Sequence, residues 1–308
     1  MTPFMLNPSS GASARTRRRL AVAGAAVAAA LLAGATPAQA DPLLDGDKLI
    51  LTNGIASIEG ASGGGLASWS TIAGMETDRG IGLSAHVTGI ALPDYGWESH
   101  GVAVGIRDRV ELSYARQNFD TRKVGAALGL GEGFRFNQDI FGAKLRLIGD
   151  TVYGSPWLPQ ISIGVQHKRS LDGAIVRAVG AKSASGTDFS ASATKLILSK
   201  SVLVNATARW TSANQFGLLG FGGPKGSART LQFEGSLAYM LTSRLVVGGE
   251  VRTRPDNLGI AREDDAHDLF VAWAFDRHAT VTAAYVDVGS VATFDGQRGA
   301  LVSLQLAF

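Results

Sequence analysis

The sequence contains no cysteine, and only 18% of its 308 residues are charged. The absence of cysteine excludes disulfides, thiolate catalysis and cysteine-ligated metal sites. Beyond residue 40 the chain also lacks any run of about 20 apolar residues, the length that a membrane-spanning helix requires. Its hydrophobic residues, 45% of the chain, are spread over short pieces among 39 glycines. This distribution argues against a helical membrane protein.

The first 40 residues have the three parts of a secretory signal peptide. A basic region, RTRRR, precedes an apolar run over Leu20–Ala35, and the small-residue site AQA ends at Ala40. This arrangement predicts export with cleavage after Ala40. An N-terminal transmembrane anchor is the alternative, but the apolar run is short, rich in alanine and followed at once by the cleavage site.

Removal of residues 1–40 changes the charge balance of the chain. The segment holds four of the 29 basic residues and no acidic residue, which leaves 25 basic against 26 acidic residues. The basic isoelectric point of the whole sequence therefore gives no indication of a nucleic-acid partner. No motif typical of nucleic-acid binding is present either, and no such partner is predicted.

From residue 80 onward, segments of about ten residues alternate apolar and polar side chains, as Leu231, Phe233 and Leu237 alternate with Gln232 and Glu234. Since successive side chains of a strand point to opposite faces, each segment has one apolar face and one polar face. About ten residues is also the length with which a tilted strand crosses the hydrocarbon layer. The predicted strands are 80–92, 101–107, 109–118, 138–149, 159–169, 187–198, 201–212, 229–242, 244–254, 267–276, 278–289 and 299–308.

The connections distinguish a membrane barrel from a soluble β-sandwich, which has the same alternation. Tight turns follow every second strand, and long loops rich in glycine and aspartate follow the others. The connection 150–158 belongs to the series of tight turns but is longer than the rest of them. The long loops are 93–100, 119–137, 170–186, 213–228, 255–266 and 290–298. Short periplasmic turns and long outer loops are typical of outer-membrane barrels. We therefore predict an all-β fold, a transmembrane antiparallel up-and-down β-barrel of about 12 strands over residues 80–308, in the cell outer membrane.

The last segment places Val302, Leu304, Leu306 and Phe308 on one face. On the lipid-facing side, Phe308 would lie at the periplasmic interface, where aromatic girdles occur. A final strand that ends in phenylalanine resembles the signal by which the outer-membrane assembly machinery recognises its clients. We therefore expect that machinery to be a partner, with Phe308 as the assembly signal.

Four stretches of the chain resemble a known bacterial family. They are LTNGIASIEGASGGGLASW (51–69), HGVAVGIRDRVELSYARQNFDT (100–121), FNQDIFGAKLRLIGD (136–150) and WLPQISIGVQHKR (157–169). They look like the domain-of-unknown-function family numbered 3034, and the likeness runs from about residue 48 to the end of the chain. The resemblance implies an envelope protein and assigns no catalytic residue.

The polar faces of the predicted strands, which face the barrel interior, carry most of the charged side chains. These lumen-lining residues are Glu111, Lys144, Arg146, Lys168, Arg209, Glu234, Glu250 and Arg252, joined by His86 and, on a strand without clean alternation, Lys195. Cations outnumber acids, and basic side chains in a lumen favour anions. The leading hypothesis is a channel or binding barrel for small, anionic solutes. Alternatively, the charges pair across the lumen and close it, as in a structural barrel without transport.

Residues 41–79 have no place among the predicted strands. The GASGGGLASW stretch is flexible enough to fold into a confined space, and Leu49, Leu51, Ile55 and Ile58 need burial. We predict a plug or short hairpin at the periplasmic mouth. An additional barrel strand is an alternative interpretation, and a disordered leader is a weaker one.

The loop EDDAHD gathers Asp264, Asp265, His267 and Asp268 at the outer end of a strand. Such a set is a candidate outer-rim site, either for a divalent cation of the kind that bridges lipopolysaccharide or for water activation as in omptin-type surface proteases. A solvated acidic loop is the simpler interpretation. A surface hydrolase, including a lipid hydrolase using serine and histidine, is thus the alternative function. No cofactor is predicted, and the remaining expected partners are outer-membrane lipid, lipopolysaccharide and small solutes.

Overall fold

The computed structural model describes residues 48–260 and 262–308, so the predicted signal peptide and its cleavage site lie outside the described residues. Two short strands, β1 (Ile55–Ala56) and β2 (Ser62–Gly63), precede twelve long ones. The long strands are β3 (Ile81–Ala91), β4 (Gly96–Ile106), β5 (Val110–Asp120), β6 (Arg135–Ile148), β7 (Gln160–Ser170), β8 (Ser185–Ile197), β9 (Val202–Thr211), β10 (Thr230–Thr242), β11 (Leu245–Arg252), β12 (Ala266–Ala274), β13 (Ala279–Asp287) and β14 (Arg298–Ala307).

Strands β3 to β14 form a closed barrel in which each strand pairs antiparallel with its neighbours in the sequence. The last strand closes the barrel against the first, from Ala300 opposite Ala91 to Ala307 opposite Ser84. Closure satisfies the backbone hydrogen bonds of both edge strands, which is the condition for a sheet that lies in lipid. The predicted up-and-down barrel of 12 strands is confirmed.

The connections at the two ends of the barrel differ in length. One end has the connections 92–95, 121–134, 171–184, 212–229, 253–265 and 288–297, and the other has 107–109, 149–159, 198–201, 243–244 and 275–278. Two short helices, α1 (Val124–Ala127) and α2 (Gly173–Ala178), lie in the long connections. By the usual asymmetry of these barrels the long connections face outward from the cell, and we call the two ends the outer and the periplasmic end. None of the helices within residues 48–260 and 262–308 is long and apolar enough to span a membrane.

The outer face of the barrel carries an apolar belt. Large hydrophobic side chains alternate outward along the strands and are largely exposed, as Leu237 (61%), Leu269 (70%) and Val302 (57%) illustrate. Aromatic side chains border the belt at both ends: Phe189, Trp210, Phe233 and Tyr285 at the outer end, and Tyr239, Trp273, Phe275 and Phe308 at the periplasmic end. A closed barrel with this exterior is an outer-membrane β-barrel, in agreement with the predicted location.

One predicted loop is wrong. Residues 96–100 belong to β4, so the connection before them is short, and β5 and β6 also extend further outward than the alternation predicts. The reason is an inversion of the pattern beyond the lipid belt. There Trp97, Phe119 and Phe136 point inward and are buried, while Arg116 and Asp139 face outward and pair at 2.7 Å. Apolar residues on the interior face made these strand ends look like loops.

The apolar belt generates a first prediction. Leu237→Arg, near the middle of β10, should lower the free energy of unfolding by about 2–4 kcal/mol because it places a cation in the hydrocarbon layer. Asn118→Arg is the matched control, since Asn118 faces outward on β5 beyond the belt and should cost less than about 1 kcal/mol. Denaturant titration of the protein refolded into lipid vesicles measures both. Equal costs at the two positions would contradict the assignment of the belt.

Candidate functional site

The interior of the barrel is occupied by the chain's own N-terminal part. Residues 51–76, here called the inner segment, are all buried, and β1 and β2 form a small hairpin within it. Side chains of the barrel wall satisfy its backbone groups: Gln305 accepts from the Ala56 amide at 2.9 Å, and Thr207 donates to the Ser68 carbonyl at 2.7 Å. Buried backbone groups need such partners, so the inner segment and the wall depend on each other.

Glu59 of the inner segment lies at the centre of the main charged cluster. Its carboxylate pairs with Lys168, with Arg252 at 2.8 Å and with Arg209 at 3.4 Å. Burial alone would raise the pKa of Glu59, but these three cations outweigh it and hold the pKa well below its usual range. The carboxylate is therefore ionised inside the barrel, and it is the partner that three wall cations share.

Two wall acids complete this cluster. Asp188 pairs with Lys168 at 2.8 Å, and Glu234 pairs with Arg209 and, at 3.4 Å, with Arg252. Together with Glu59 they balance the three cations. We call these six residues the central charged layer. Sequence reasoning identified the cations and Glu234, but it missed Asp188, which lies on the irregular strand β8, and it did not connect Glu59 to them.

Glu111 and Lys144 form a second anchor. They are directly opposite on β5 and β6 and pair at 3.3 Å. Lys144 also donates to the carbonyls of Ser62 and Thr71, at 3.0 and 2.8 Å, while Glu111 accepts from the Ala73 amide at 2.8 Å. The predicted pair of inward cations is thereby divided between two roles. Lys144 binds the inner segment, whereas Arg146 lies at the periplasmic end and pairs with Asp108 and Asp150.

Glu250 and Asp268 are opposite each other on β11 and β12 and face the Gly-rich turn of the inner segment. Glu250 accepts hydrogen bonds from the amides of Leu66 and Ala67 at 2.8 and 3.2 Å and from Ser236 at 2.7 Å. Asp268 is buried, and neither of its carboxylate oxygens has a hydrogen-bond partner within the described residues. Glu250 thus binds the turn, while Asp268 adds a second, unpartnered acid beside it.

His86 and Lys195, the remaining members of the predicted lumen set, occupy different places. His86 is buried inside and lies 3.3 Å from the Ser99 hydroxyl. Lys195 pairs in register with the outward-facing Val204, so it lies on the other face of β8, where its ammonium group donates to carbonyls of the connection 149–159. The inward assignment of Lys195 is wrong because β8 has a mixed pattern near the periplasmic end.

The structure does not bring the predicted outer-rim residues together. His267 and Asp268 are consecutive in β12, so the imidazole is exposed on the outer face, 3.7 Å from Asp287, and the Asp268 carboxylate is inside. Asp264 accepts hydrogen bonds from Ser290, which hold its pKa below the usual range, and Asp265 is a weak partner of the Arg254 amide at 3.4 Å. Within residues 48–260 and 262–308 no group of three histidine or acidic residues is arranged to hold a metal ion.

An apolar cleft at the outer end is a feature that the sequence analysis missed. Its walls are Trp97, Phe119 and Phe136 from the ends of β4 to β6, and side chains of the connections 212–229 and 288–297 cover it. The periplasmic end has a different character, with a polar cavity lined by Lys48, Asp108, Arg146 and Asp150 among others. The interior thus has an apolar cleft at the outer end, beside the buried Arg254–Glu263 pair, and is charged from its centre to the periplasmic end.

Comparison with known structures gives other outer-membrane barrels. The KdgM porin has a TM-score of 0.48 at 10% sequence identity, covering 73% of this chain and 99% of its own. The outer membrane protein Omp33 of Acinetobacter baumannii has a TM-score of 0.42 at 7% identity, covering 73% and 97%. The outer membrane phospholipase A of Escherichia coli has a TM-score of 0.42 at 9% identity, covering 74% and 92%.

A search of curated proteins found no match. A family model matches residues 52–305, a range that includes all but the first residue of the inner segment and nearly the whole barrel. The resemblance noted in the sequence is thereby confirmed, and the chain belongs to the family described as protein of unknown function (DUF3034).

Proposed function

We propose that this outer-membrane barrel is a gated passage for small solutes, with a preference for anions when it is open, and that the inner segment is its plug. The observation that carries the proposal is the burial of Glu59 among Lys168, Arg209 and Arg252. A barrel that served only as a scaffold could fill its interior with wall side chains. Here the central charge balance depends on a separate segment of the chain.

The proposed anion preference follows from the charges that remain when the plug leaves. Without Glu59 the central charged layer has three cations, Lys168, Arg209 and Arg252, against Asp188 and Glu234. A constriction with excess positive charge raises the local concentration of anions. With Glu59 in place the central charged layer is neutral and the plug fills the lumen. The closed protein should therefore conduct no ions and show no ion selectivity.

The alternative, a surface hydrolase, has less support in the geometry. The candidate rim residues point to different faces of β12 or are engaged by Ser290 and Arg254. The His86–Ser99 contact is buried inside the barrel, and the Ser99 hydroxyl donates to the Ile58 carbonyl at 2.7 Å. A nucleophile needs access to its substrate and a base that is oriented by a third group, and this pair has neither feature in the arrangement described.

Conductance of the full-length protein in a planar bilayer tests the proposal. Wild-type protein should be closed for most of the time. Glu59→Gln keeps the size of the side chain but leaves three buried cations short of a partner, a change that costs about 3–5 kcal/mol for a buried ion pair. We expect the open probability to rise at least tenfold and the reversal potential in a salt gradient to shift towards the anion.

Glu98→Gln is the matched control for conductance, because Glu98 is an exposed acid at the outer end whose nearest cation, Arg135, is 3.9 Å away. It should leave conductance unchanged. A silent Glu59→Gln barrel that keeps its wild-type stability would argue for a structural barrel without transport. Opening that favours cations would contradict the proposed selectivity while leaving the gate intact.

Cysteine accessibility provides an independent readout of the plug. Ser57 is buried beside Glu59, its hydroxyl has no hydrogen-bond partner within the described residues, and the chain has no natural cysteine. Ser57→Cys should therefore fit in place and react slowly with a small charged thiol reagent. Combined with Glu59→Gln, it should react at least tenfold faster. Cysteine at the exposed Ser155 should react rapidly in both backgrounds, and equal slow rates at position 57 would exclude movement of the plug.

The periplasmic end of the plug carries a pH-dependent contact. The Glu76 carboxylate is buried against Gly82 and Gly105 and lies 3.3 Å from the Lys48 ammonium group. Burial raises the pKa of Glu76 from 4.5 to about 7, against the opposing effect of Lys48.

A second buried carboxyl group lies at the opposite end of the barrel. Burial raises the pKa of Glu263, in the outer connection 253–265, to about 7.

These shifts predict the pH dependence of stability. The folded protein retains protons near pH 7 that the unfolded chain releases near pH 4.5, so the free energy of unfolding should fall as pH rises between these values and level off above them. The contribution of Glu76 amounts to at most about 3 kcal/mol. Glu76→Gln should remove that part of the slope, and Glu263→Gln should remove a further part. Denaturant titrations between pH 4 and 8 measure the slopes, and an unchanged slope in both variants would contradict the assignment.

A further inference from the structure

Two arginines on the outside of the barrel, Arg169 and Arg229, differ from the other cations of the wall at the outer end. The other outward-facing arginines of the strands at this end are each paired with a carboxylate: Arg116 with Asp139 at 2.7 Å, Arg135 with Asp120 at 3.2 Å and Arg298 with Asp287 at 2.6 Å. Arg169 and Arg229 are exposed, and neither has a carboxylate partner within the described residues. The sector of the outer rim over β7 to β10 therefore carries unbalanced positive charge.

Both arginines lie close to Thr187 of β8. Arg169 and His167 are two positions apart on one face of β7, and His167 is directly opposite Thr187. The Thr187 hydroxyl and the His167 ring share a hydrogen bond of 3.0 Å, and the Thr187 carbonyl accepts from the Arg229 guanidinium at 2.8 Å. Arg169 is the diagonal neighbour of Thr187, a separation that long side chains span. We call Arg169, His167 and Arg229 the outer basic cluster.

An acid does stand opposite Arg169, but it is already engaged. Asp139 on β6 pairs with Arg169 in the strand register. The Arg116 guanidinium donates to both Asp139 carboxylate oxygens at 2.8 Å, and the Tyr114 hydroxyl donates to one of them at 2.8 Å. Such a bidentate arginine–carboxylate pair is among the strongest contacts between charged side chains. Asp139 therefore does not neutralise Arg169, and the outer basic cluster lacks an anion.

Aromatic rings hold the outer basic cluster at the border of the apolar belt. The Arg229 guanidinium lies over the rings of Phe189 and Trp210, 5.5 and 5.4 Å from their centroids, and the Trp210 N–H donates to the Arg229 carbonyl at 3.1 Å. These contacts orient the guanidinium before a ligand binds. Of its N–H donors only Nε is used within the described residues, so the others remain for a ligand. Since Phe189 and Trp210 border the apolar belt, the cluster stands at the level of lipid headgroups.

The lipid-facing wall below this aromatic pair has space for an acyl chain. The outward residues of β8 and β9 there are alanines in register, Ala191 with Ala208 and Ala193 with Ala206. The neighbouring strands carry larger outward side chains at the same level, Ile163 on β7 and Phe233 on β10. The result is a shallow apolar groove, two strands wide, that continues the lipid-facing surface below the positive charge.

From these observations we infer that the outer basic cluster is a binding site for lipopolysaccharide. The outer leaflet, into which this end of the barrel projects, consists of that lipid, and its lipid A portion carries phosphate groups above its acyl chains. Arg169 and Arg229 bind phosphate oxygens, the anions that a guanidinium fork fits best. An acyl chain packs along the alanine groove. The site lies outside the wall and needs no movement of the plug, so it goes beyond the proposed passage and is independent of it.

Native mass spectrometry of the refolded full-length protein in a neutral detergent tests the site. The probe is bisphosphorylated lipid A, and the same lipid without phosphates is the matched probe. Wild-type protein should retain one tightly bound lipid A, and the phosphate-free lipid should bind at least about tenfold more weakly. Arg169→Gln and Arg229→Gln should each weaken lipid A about tenfold and leave the phosphate-free lipid unchanged. EDTA is present throughout, because direct contacts between arginine and phosphate need no bridging divalent cation.

Controls separate this site from general attraction to the barrel. Arg298→Gln removes an exposed arginine at the same end that is already paired with Asp287, so it should bind lipid A as wild type does. Arg169 has no hydrogen bond or ion pair to lose within the described residues, which keeps the test valid if Arg229→Gln does not fold.

Three results would overturn the site. They are wild-type affinity for lipid A in the variant that combines Arg169→Gln and Arg229→Gln, loss of lipid A from wild type when EDTA is added, and equal retention of phosphatidylglycerol. The last result would assign the cluster to phospholipid in place of lipopolysaccharide. A barrel that never conducts would leave the site standing, because the outer basic cluster and the plug share no residue.

Discussion

One buried carboxylate determines how the rest of the interior is arranged. Lys168, Arg209 and Arg252 belong to three separate strands of the wall, and they share Glu59, which belongs to none of them. Cations in a closed interior must be paired, because removing one partner leaves a charge that neither water nor protein compensates. The barrel wall is therefore incomplete without the inner segment. Lys144 of the wall also donates a hydrogen bond to this segment, and Glu111 and Glu250 accept hydrogen bonds from its amides. Wall side chains therefore hold the segment at several points along its course.

The fold was largely predictable from the sequence. Alternate side chains of a strand point to the same face, and the side chains that face lipid are apolar. Where lipid ends, that signal ends as well. At the outer ends of β4, β5 and β6, Trp97, Phe119 and Phe136 point inward while charged residues face water, so strand ends resembled loops. All three aromatic residues lie on the inward-facing side of their strands. That common position is the sequence signal that would have indicated the outer apolar cleft.

The candidate site was predictable only in its wall charges. Lys168, Arg209, Glu234, Glu250 and Arg252 fall on clean strands, and parity alone places them inside. Their partners depend on register and on chain segments far away in the sequence: Glu59 is 109 positions from Lys168 and 193 from Arg252. The sequence therefore predicted too many cations in the interior. The predicted set omitted the acids Glu59 and Asp188, and it included Lys195, which lies on the other face of its strand. The predicted outer-rim site was wrong for the opposite reason. His267 and Asp268 are adjacent in the sequence, and adjacent residues of a strand point to opposite faces.

Two different forces close the interior, and one residue takes part in both. Towards the periplasm the closure is ionic and hydrogen-bonded, through Glu59 and the anchors at Lys144 and Glu250, so salt and pH act on it. At the outer end the closure combines apolar packing through Phe216 and its neighbours with the buried Arg254–Glu263 pair, 3.5 Å apart, and temperature acts on its apolar part. The Arg252 guanidinium pairs with Glu59 on one side and packs on the Phe216 ring on the other. A displacement of Phe216 removes a contact from the same cation that holds Glu59, so the outer cleft and the central charged layer are physically continuous, and neither closure can change without altering the environment of Arg252.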